Sequence, residues 1–236
     1  MTPETVQHLN ALNRQFYETT ATEFDATRSQ AWQGWYRLLP YLTLPLRVLD
    51  VGCGNGRFGV FLAEQLHPTA EMPLHYHGID NSAALLAFAQ NALAKMPHLS
   101  TTLTAQDIIE QPELPAETYD LVTLFGVIHH VPGADNRLKL MQRLAACVAP
   151  GGLLVFAAWR FYEHDRFRER IIPWSDDIEV EPGDYLLDWR RGETALRYCH
   201  YVDDTEQARL IRTSGLGEIL TYKSDIYNCY SIMRKL

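Results

Sequence analysis

Three glycines alternate in Val48-Leu49-Asp50-Val51-Gly52-Cys53-Gly54-Asn55-Gly56, at the end of a short apolar run. Glycine is needed where a backbone turns tightly or must approach a ligand without a Cβ in the way. A helix starting at such a turn presents unpaired N–H groups, which suit a carboxylate or a phosphate. Acidic residues recur where later apolar runs end: Asp80, followed by Asn81, and Asp107, followed by Ile108. Phe125-Gly126 ends a fourth run. A dinucleotide-binding fingerprint reads G-x-G-x-x-G, and Arg57 stands where its third glycine belongs, so that ligand class fails.

A second set of side chains has the chemistry to hold an acceptor. Arg197, Tyr198 and His200 offer a guanidinium for a carboxylate or phosphate, a ring for stacking and an imidazole for hydrogen bonding. On a strand, Arg197 and Cys199 would face one way, with Tyr198 and His200 on the other side. His129 and His130 are the first candidates for a general base if the acceptor is a hydroxyl or amine. One of the two is as readily a histidine satisfied by backbone carbonyls. Arg28 is balanced between an anion contact and a solvated helix arginine. Arg166, Arg168, Arg170, Arg190 and Arg191 are interleaved with Glu163, Asp165, Glu169, Asp176 and Asp177, which reads as a solvated surface rather than a phosphate track. His75 and His77 share a strand face without a third ligand at sensible spacing, so packing or solvent explains them better than a metal.

The elements that must position these groups alternate. Residues 47–51, 75–80, 101–106, 119–125 and 153–158 read as strands. Between them lie amphipathic stretches through Phe58, Phe61 and Leu62, through Leu85, Ala89 and Leu93 behind the N-cap Ser82, and through Leu138, Met141 and Leu144 up to a stop at Pro150-Gly151-Gly152. A helix over 205–213 and strands over 218–223 and 227–233 close the chain. The pattern predicts an α/β, doubly wound fold: a mostly parallel seven-stranded sheet with helices on both faces and an antiparallel last strand. With 236 residues, 1–236 is read as a single domain. Residues 1–45 form an N-terminal helical cap whose aromatic residues, from Phe16 to Tyr41, are mostly core. Residues 160–203 form a substrate-side insertion, long for a loop. The net charge of −8 excludes a broadly basic nucleic-acid footprint. No apolar run approaches the ~20 residues of a membrane span. Cys53, Cys147, Cys199 and Cys229 are widely spaced, so free thiols in the cytoplasm are expected.

The turn preceded by Asp50 resembles that of the class I S-adenosylmethionine-dependent methyltransferases, which implies a Rossmann-like fold and S-adenosyl-L-methionine as cofactor. The implied cofactor-binding residues are Asp50, Gly52, Cys53, Gly54, Asn55, Gly56, Asp80, Asn81, Asp107, Ile108 and Phe125. Within that resemblance Asp80 serves the ribose hydroxyls and Asp107 the adenine amino group, with Ile108 beside the ring. Phe16-Tyr17, then Phe24-Asp25-Ala26-Thr27-Arg28 and Trp32, are similar to the entry helix of the methyltransferases that finish 5-carboxymethyluridine at the tRNA wobble position. Val127-Ile128-His129-His130-Val131, Gly183-Asp184-Tyr185-Leu186-Leu187-Asp188-Trp189, Arg197-Tyr198-Cys199-His200-Tyr201 and Asn228-Cys229-Tyr230 resemble further segments of that family, with departures at Asp188, Cys199 and Cys229. The resemblance implies methyl transfer to a carboxylate, with Arg28, His130, Arg197, Tyr198 and His200 on the acceptor side. Arg28 stays open between the methionine carboxylate and an acidic acceptor. The acceptor is read as tRNA or a small molecule, and a non-catalytic cofactor-binding partner is a third reading. No membrane is implied, and a helper subunit is compatible with the family but not indicated.

Overall fold

Thr2 opens the first helix, α1 (Pro3–Thr27), by accepting the Thr5 N–H at 3.2 Å, with Pro3 in the first turn, where its missing N–H costs nothing. The structure, a computed structural model, describes residues 1–28, 30–175, 178–191 and 193–236. Asp176 and Asp177, and the side chains of Arg190 and Arg191, lie outside what is described. After two short 3₁₀ turns the strand–helix alternation begins: β1 (Leu46–Val51), α2 (Arg57–Leu66), β2 (Leu74–Asp80), α3 (Ala83–Leu93), β3 (Leu99–Ala105), β4 (Tyr119–Phe125), α4 (Ala134–Ala146) and β5 (Val148–Trp159). Then follow α5 (Asp165–Arg168), β6 (Ile171–Ile172), β7 (Asp184–Arg191), β8 (Glu193–His200), α6 (Asp204–Ser214), β9 (Gly217–Ser224) and β10 (Asn228–Arg234).

Seven strands form one sheet in the order β3-β2-β1-β4-β5-β10-β9. The first five are mutually parallel, and β10 runs antiparallel to both of its neighbours. The fold is thus the doubly wound α/β architecture that the sequence pattern predicts. The central strands are apolar at nearly every position because both faces are covered. Val48 packs under Trp35, Phe58 and Phe61, while its neighbour Leu49 packs with Leu140, Met141 and Phe156 on the other side. One boundary differs from expectation. The fourth helix stops at Ala146, and Pro150-Gly151-Gly152 lies inside β5, where the pairing with β4 shifts register between Tyr119 and Leu121.

The stretch 160–203, without clear periodicity in sequence, contains a second, three-stranded antiparallel sheet in the order β6-β7-β8. Helix α1 lies across it: the Asn13 side-chain oxygen accepts the Tyr198 N–H at 2.8 Å. A buried ion network fastens the hairpin on its other side. His200 bridges Asp184 (2.7 Å) and Glu206 (2.6 Å), the Tyr198 hydroxyl donates to Asp184 at 2.7 Å, and Arg137 donates to Glu206 at 2.7 Å. The network joins the hairpin to α4 and α6, so the small sheet is held against the carboxyl ends of the large one.

Candidate active site

The carboxyl ends of β1, β2, β4 and β5, roofed by α1 and flanked by β8, enclose a cavity of about 540 Å³. In an open parallel sheet this crevice is the expected ligand position. Gly52, at φ +76°, can take no side chain, since a Cβ there would fall 2.1 Å from Val127 Cγ2. Gly52 and Gly54 bring bare backbone to the wall, together with Asp80, Asn81, Asp107, Ile108 and Phe125.

The rest of the turn faces elsewhere. Asp50 sits beneath it, accepting from the Tyr76 hydroxyl at 2.5 Å and the Thr123 hydroxyl at 2.7 Å, and burial raises its pKa to about 6 despite both bonds. The Cys53 sulfur packs against Gly78, and burial pushes its thiol well up. Asn55 donates to Asp25 at 2.8 Å, tying the end of α1 to the turn. Gly56 caps α2 and lies against Ala89 of α3. Asp50, Cys53, Asn55 and Gly56, expected among cofactor-binding residues, therefore shape the turn from behind and do not line the cavity.

The acidic pair at the strand tips is differently poised. Asp80 accepts the Gly54 N–H at 2.8 Å and the Ser82 N–H at 2.9 Å, one on each oxygen, so each oxygen keeps acceptor capacity. Burial raises its pKa and these backbone bonds hold it back. Asp107 is more heavily engaged. One oxygen takes the Ile109 and Glu110 N–H groups, and the other takes the amides of Asn10 (2.8 Å) and Asn81 (3.4 Å). A ligand amino group at Asp107 would compete with Asn10.

Of the acceptor-side residues, Arg28, His130 and Arg197 line the cavity, while Tyr198 and His200 do not. The strand alternation expected for this segment holds, and it sends Tyr198 and His200 into the ion network behind the wall. Both histidines after β4 reach the cavity. His130 spends both ring nitrogens: Nδ1 donates to the Tyr198 carbonyl at 3.0 Å, and Nε2 accepts from the Tyr17 hydroxyl at 2.9 Å. Burial and the nearby Arg197 cation push its pKa down to about 3. Burial, His130 and Arg197 also hold His129 well below the usual imidazole range. Arg197 is 9% exposed, and its guanidinium lies over the rings of Trp159 (4.5 Å), Phe16 (5.2 Å) and Trp189 (5.7 Å). Among the described residues it has no acidic partner, and its Nε has no hydrogen bond.

Several lining residues escape the sequence reading. Asn10, Tyr17, Phe24 and Trp32 come from the N-terminal cap, where Phe16 and Trp35 are buried as expected and Tyr36 is exposed. Arg57, noticed only for breaking a glycine pattern, lies 4.6 Å over Trp32, and burial with Arg28 nearby lowers its pKa to about 10. Trp159 was legible in principle, because it ends β5 two residues beyond Ala157, the partner of Phe125 at the tip of β4. Arg166 and Arg170, expected as solvated surface, also line the cavity, Arg166 exposed as expected and Arg170 half-buried. His77 is spent on Tyr119 and Thr104, each at 2.9 Å.

Known proteins are similar to this chain over most of its length. The tRNA (carboxymethyluridine(34)-5-O)-methyltransferase of Schizosaccharomyces pombe is 25% identical, covering 98% of this chain and 99% of the relative. A probable tRNA methyltransferase 9B of Mus musculus is 26% identical over 74% of this chain and 36% of its own length. Two solved structures share the fold. One is an S-adenosylmethionine-dependent methyltransferase from Methanosarcina mazei (TM-score 0.65, 16% identity, 85% of this chain and 97% of the other). The other is the N-methyltransferase NodS from Bradyrhizobium japonicum, with S-adenosyl-L-homocysteine (TM-score 0.59, 19% identity, 94% and 97%). The family described as a methyltransferase domain matches residues 49–154. That segment carries the glycine turn and the strand tips facing the cavity, so the part of this chain that shapes the site is the part similar to a methyltransferase domain.

Proposed function

We propose that the enzyme transfers the methyl group to a carboxylate on a modified wobble uridine in tRNA. The observation that carries this reading is Arg197: a cation nine-tenths buried in the cavity wall, caged by three rings, with no acidic partner among the described residues. A buried cation without a counter-ion is costly, and an anionic acceptor supplies one. The planar fork of arginine matches a carboxylate's two oxygens. Trp159 and Trp189 offer flat surfaces beside it for a pyrimidine ring. The relative from Schizosaccharomyces pombe, similar over nearly both full lengths, carries a name that fits this chemistry.

For the cofactor, the fit rests on the bare glycine wall and the spare acceptor capacity of Asp80. Asp80 with Asn81 would hold the ribose hydroxyls, Ile108 would flank the adenine, and the Gly52–Gly54 backbone would take the methionyl end with Arg28. When bound, the sulfonium supplies an electrophilic methyl group. The protein aligns the acceptor for in-line attack and keeps water out. Arg197 orients the carboxylate, and Phe125 and Trp32 wall the donor side. No proton leaves a carboxylate acceptor, so no base is required. The neutral histidines agree with this: His130, with both nitrogens engaged, acts as a strut between α1 and β8.

The test is transfer of label from methyl-labelled S-adenosylmethionine to tRNA containing 5-carboxymethyluridine, run beside a small-metabolite extract. Label in a base-labile ester of the tRNA nucleoside is the expected result. Label only in small molecules would replace tRNA with a small acceptor, and cofactor binding without any transfer would leave a non-catalytic partner. We extend the reading to a cytoplasmic enzyme; its four cysteines are free and buried, and no described helix is long and apolar enough to cross a membrane.

A further inference from the structure

We propose that Arg166 and Arg170, at the mouth of the cavity, contact the phosphate backbone of an RNA acceptor; this rests on the tRNA reading above. Their spacing of four residues, over α5 and the turn after it, puts both on one side of the segment, with Phe167 beside them. All three line the cavity. Arg166 is exposed, and its partners are neutral: it donates to the Tyr227 hydroxyl at 2.9 Å and lies over the rings of Phe167 (5.0 Å) and Tyr227 (5.6 Å). Arg170 has no acidic partner among the described residues.

Two acids of the segment are already paired, and Glu169 between the two arginines is exposed. Arg168 pairs with Asp165 and donates to the Tyr162 carbonyl, and Glu163 is taken by Lys223 at 2.8 Å. In a chain of net charge −8, two guanidinium groups with no acidic partner among the described residues make a local anion-attracting rim at the site's entrance. Arg197, at 9% exposure, is the cation proposed for the acceptor's carboxylate inside. The exposed Arg166 would therefore meet what trails behind the reacting group. For a nucleotide within a chain, that is the phosphate on either side. Ring-backed guanidinium groups are pre-oriented for phosphate, and their side-chain ordering is already in place.

The test is binding of a fluorescent anticodon stem-loop, titrated between 50 and 200 mM salt against the wild type and the double variant Arg166→Ser/Arg170→Ser. Affinity should fall at least tenfold at the lowest salt. The slope of log K against log salt should shrink by about 1.4, two contacts at roughly 0.7 each for single strands. S-adenosylhomocysteine affinity and melting temperature report on folding and should not move, and Arg166→Lys/Arg170→Lys should recover most of the slope. An unchanged slope in a folded double variant overturns the rim while leaving methylation of tRNA by the wild type intact. A wild type with no salt-dependent RNA binding and label only in small molecules overturns the tRNA reading and the rim together.

Discussion

Replacing Arg197 with methionine separates its service to the acceptor from any service to the fold. The guanidinium lies 4.5 to 5.7 Å from three ring centroids and is 9% exposed. Withdrawing such a cation from water costs several kcal/mol even after relaxation. Each ring contact returns roughly 0.5–2 kcal/mol, so the three together offset most of that cost. The net contribution of the charge to stability is therefore about zero. Methionine is unbranched and fills an aromatic cage well. Arg197→Met should melt within about 4 °C of the wild type, the equivalent of ~1 kcal/mol for a chain of this length. The acceptor, by contrast, loses hydrogen bonds to a charged group worth about 1.5–3 kcal/mol, which lowers kcat/KM roughly 10- to 150-fold. Melting curves, calorimetry with S-adenosylhomocysteine and initial rates on the acceptor measure the three quantities separately. Unchanged kcat/KM, or a rate loss fully matched by a melting point more than 10 °C lower, would refute the reasoning.

Three further outcomes follow from the same geometry. Asp80→Ala should weaken S-adenosylhomocysteine by about 1–3 kcal/mol in calorimetry, since charge-assisted bonds to the ribose are lost; equal affinity in a folded variant would move the ribose elsewhere. The pH profile of kcat/KM should be flat between pH 6 and 9, because His130 titrates near 3 and a carboxylate acceptor needs no base; a unit-slope limb near 6.5 would reinstate one. Stability should carry the signature of His200. Burial alone would lower its pKa, but the Asp184 and Glu206 hydrogen bonds outweigh that and raise it. Its contribution is thus full below about pH 6.5, the unfolded value, and is lost as pH rises through the higher folded value. Wild-type melting temperature should fall across that window, and His200→Gln should flatten the dependence.

The sequence by itself determined the strand–helix alternation, the glycine turn and the acidic residues at successive strand tips. Each is a local signal: apolar periodicity, a backbone that needs no Cβ, an acid at the last residue of a strand or two positions past it. Such signals put Gly52, Gly54, Asp80 and Asp107 on the cavity wall because the ends of parallel strands converge on one crevice whatever the rest of the chain does. Tertiary structure decided which of the remaining polar residues face that crevice. Asp50 lies in the same motif yet turns under it toward Tyr76 and Thr123, and His200 lies three residues from Arg197 yet points into the ion network. Alternation along β8 predicts that Arg197 and His200 oppose each other, but not which of the two is inside. That choice belongs to α1, some 180 residues away in the chain, which covers one face of the small sheet with Phe16 and binds β8 through Asn13. A cavity is made of long-range contacts, and propensity acts only on near neighbours. The buried cation in its wall, without an acidic partner among the described residues, therefore becomes visible only once the chain has closed around it.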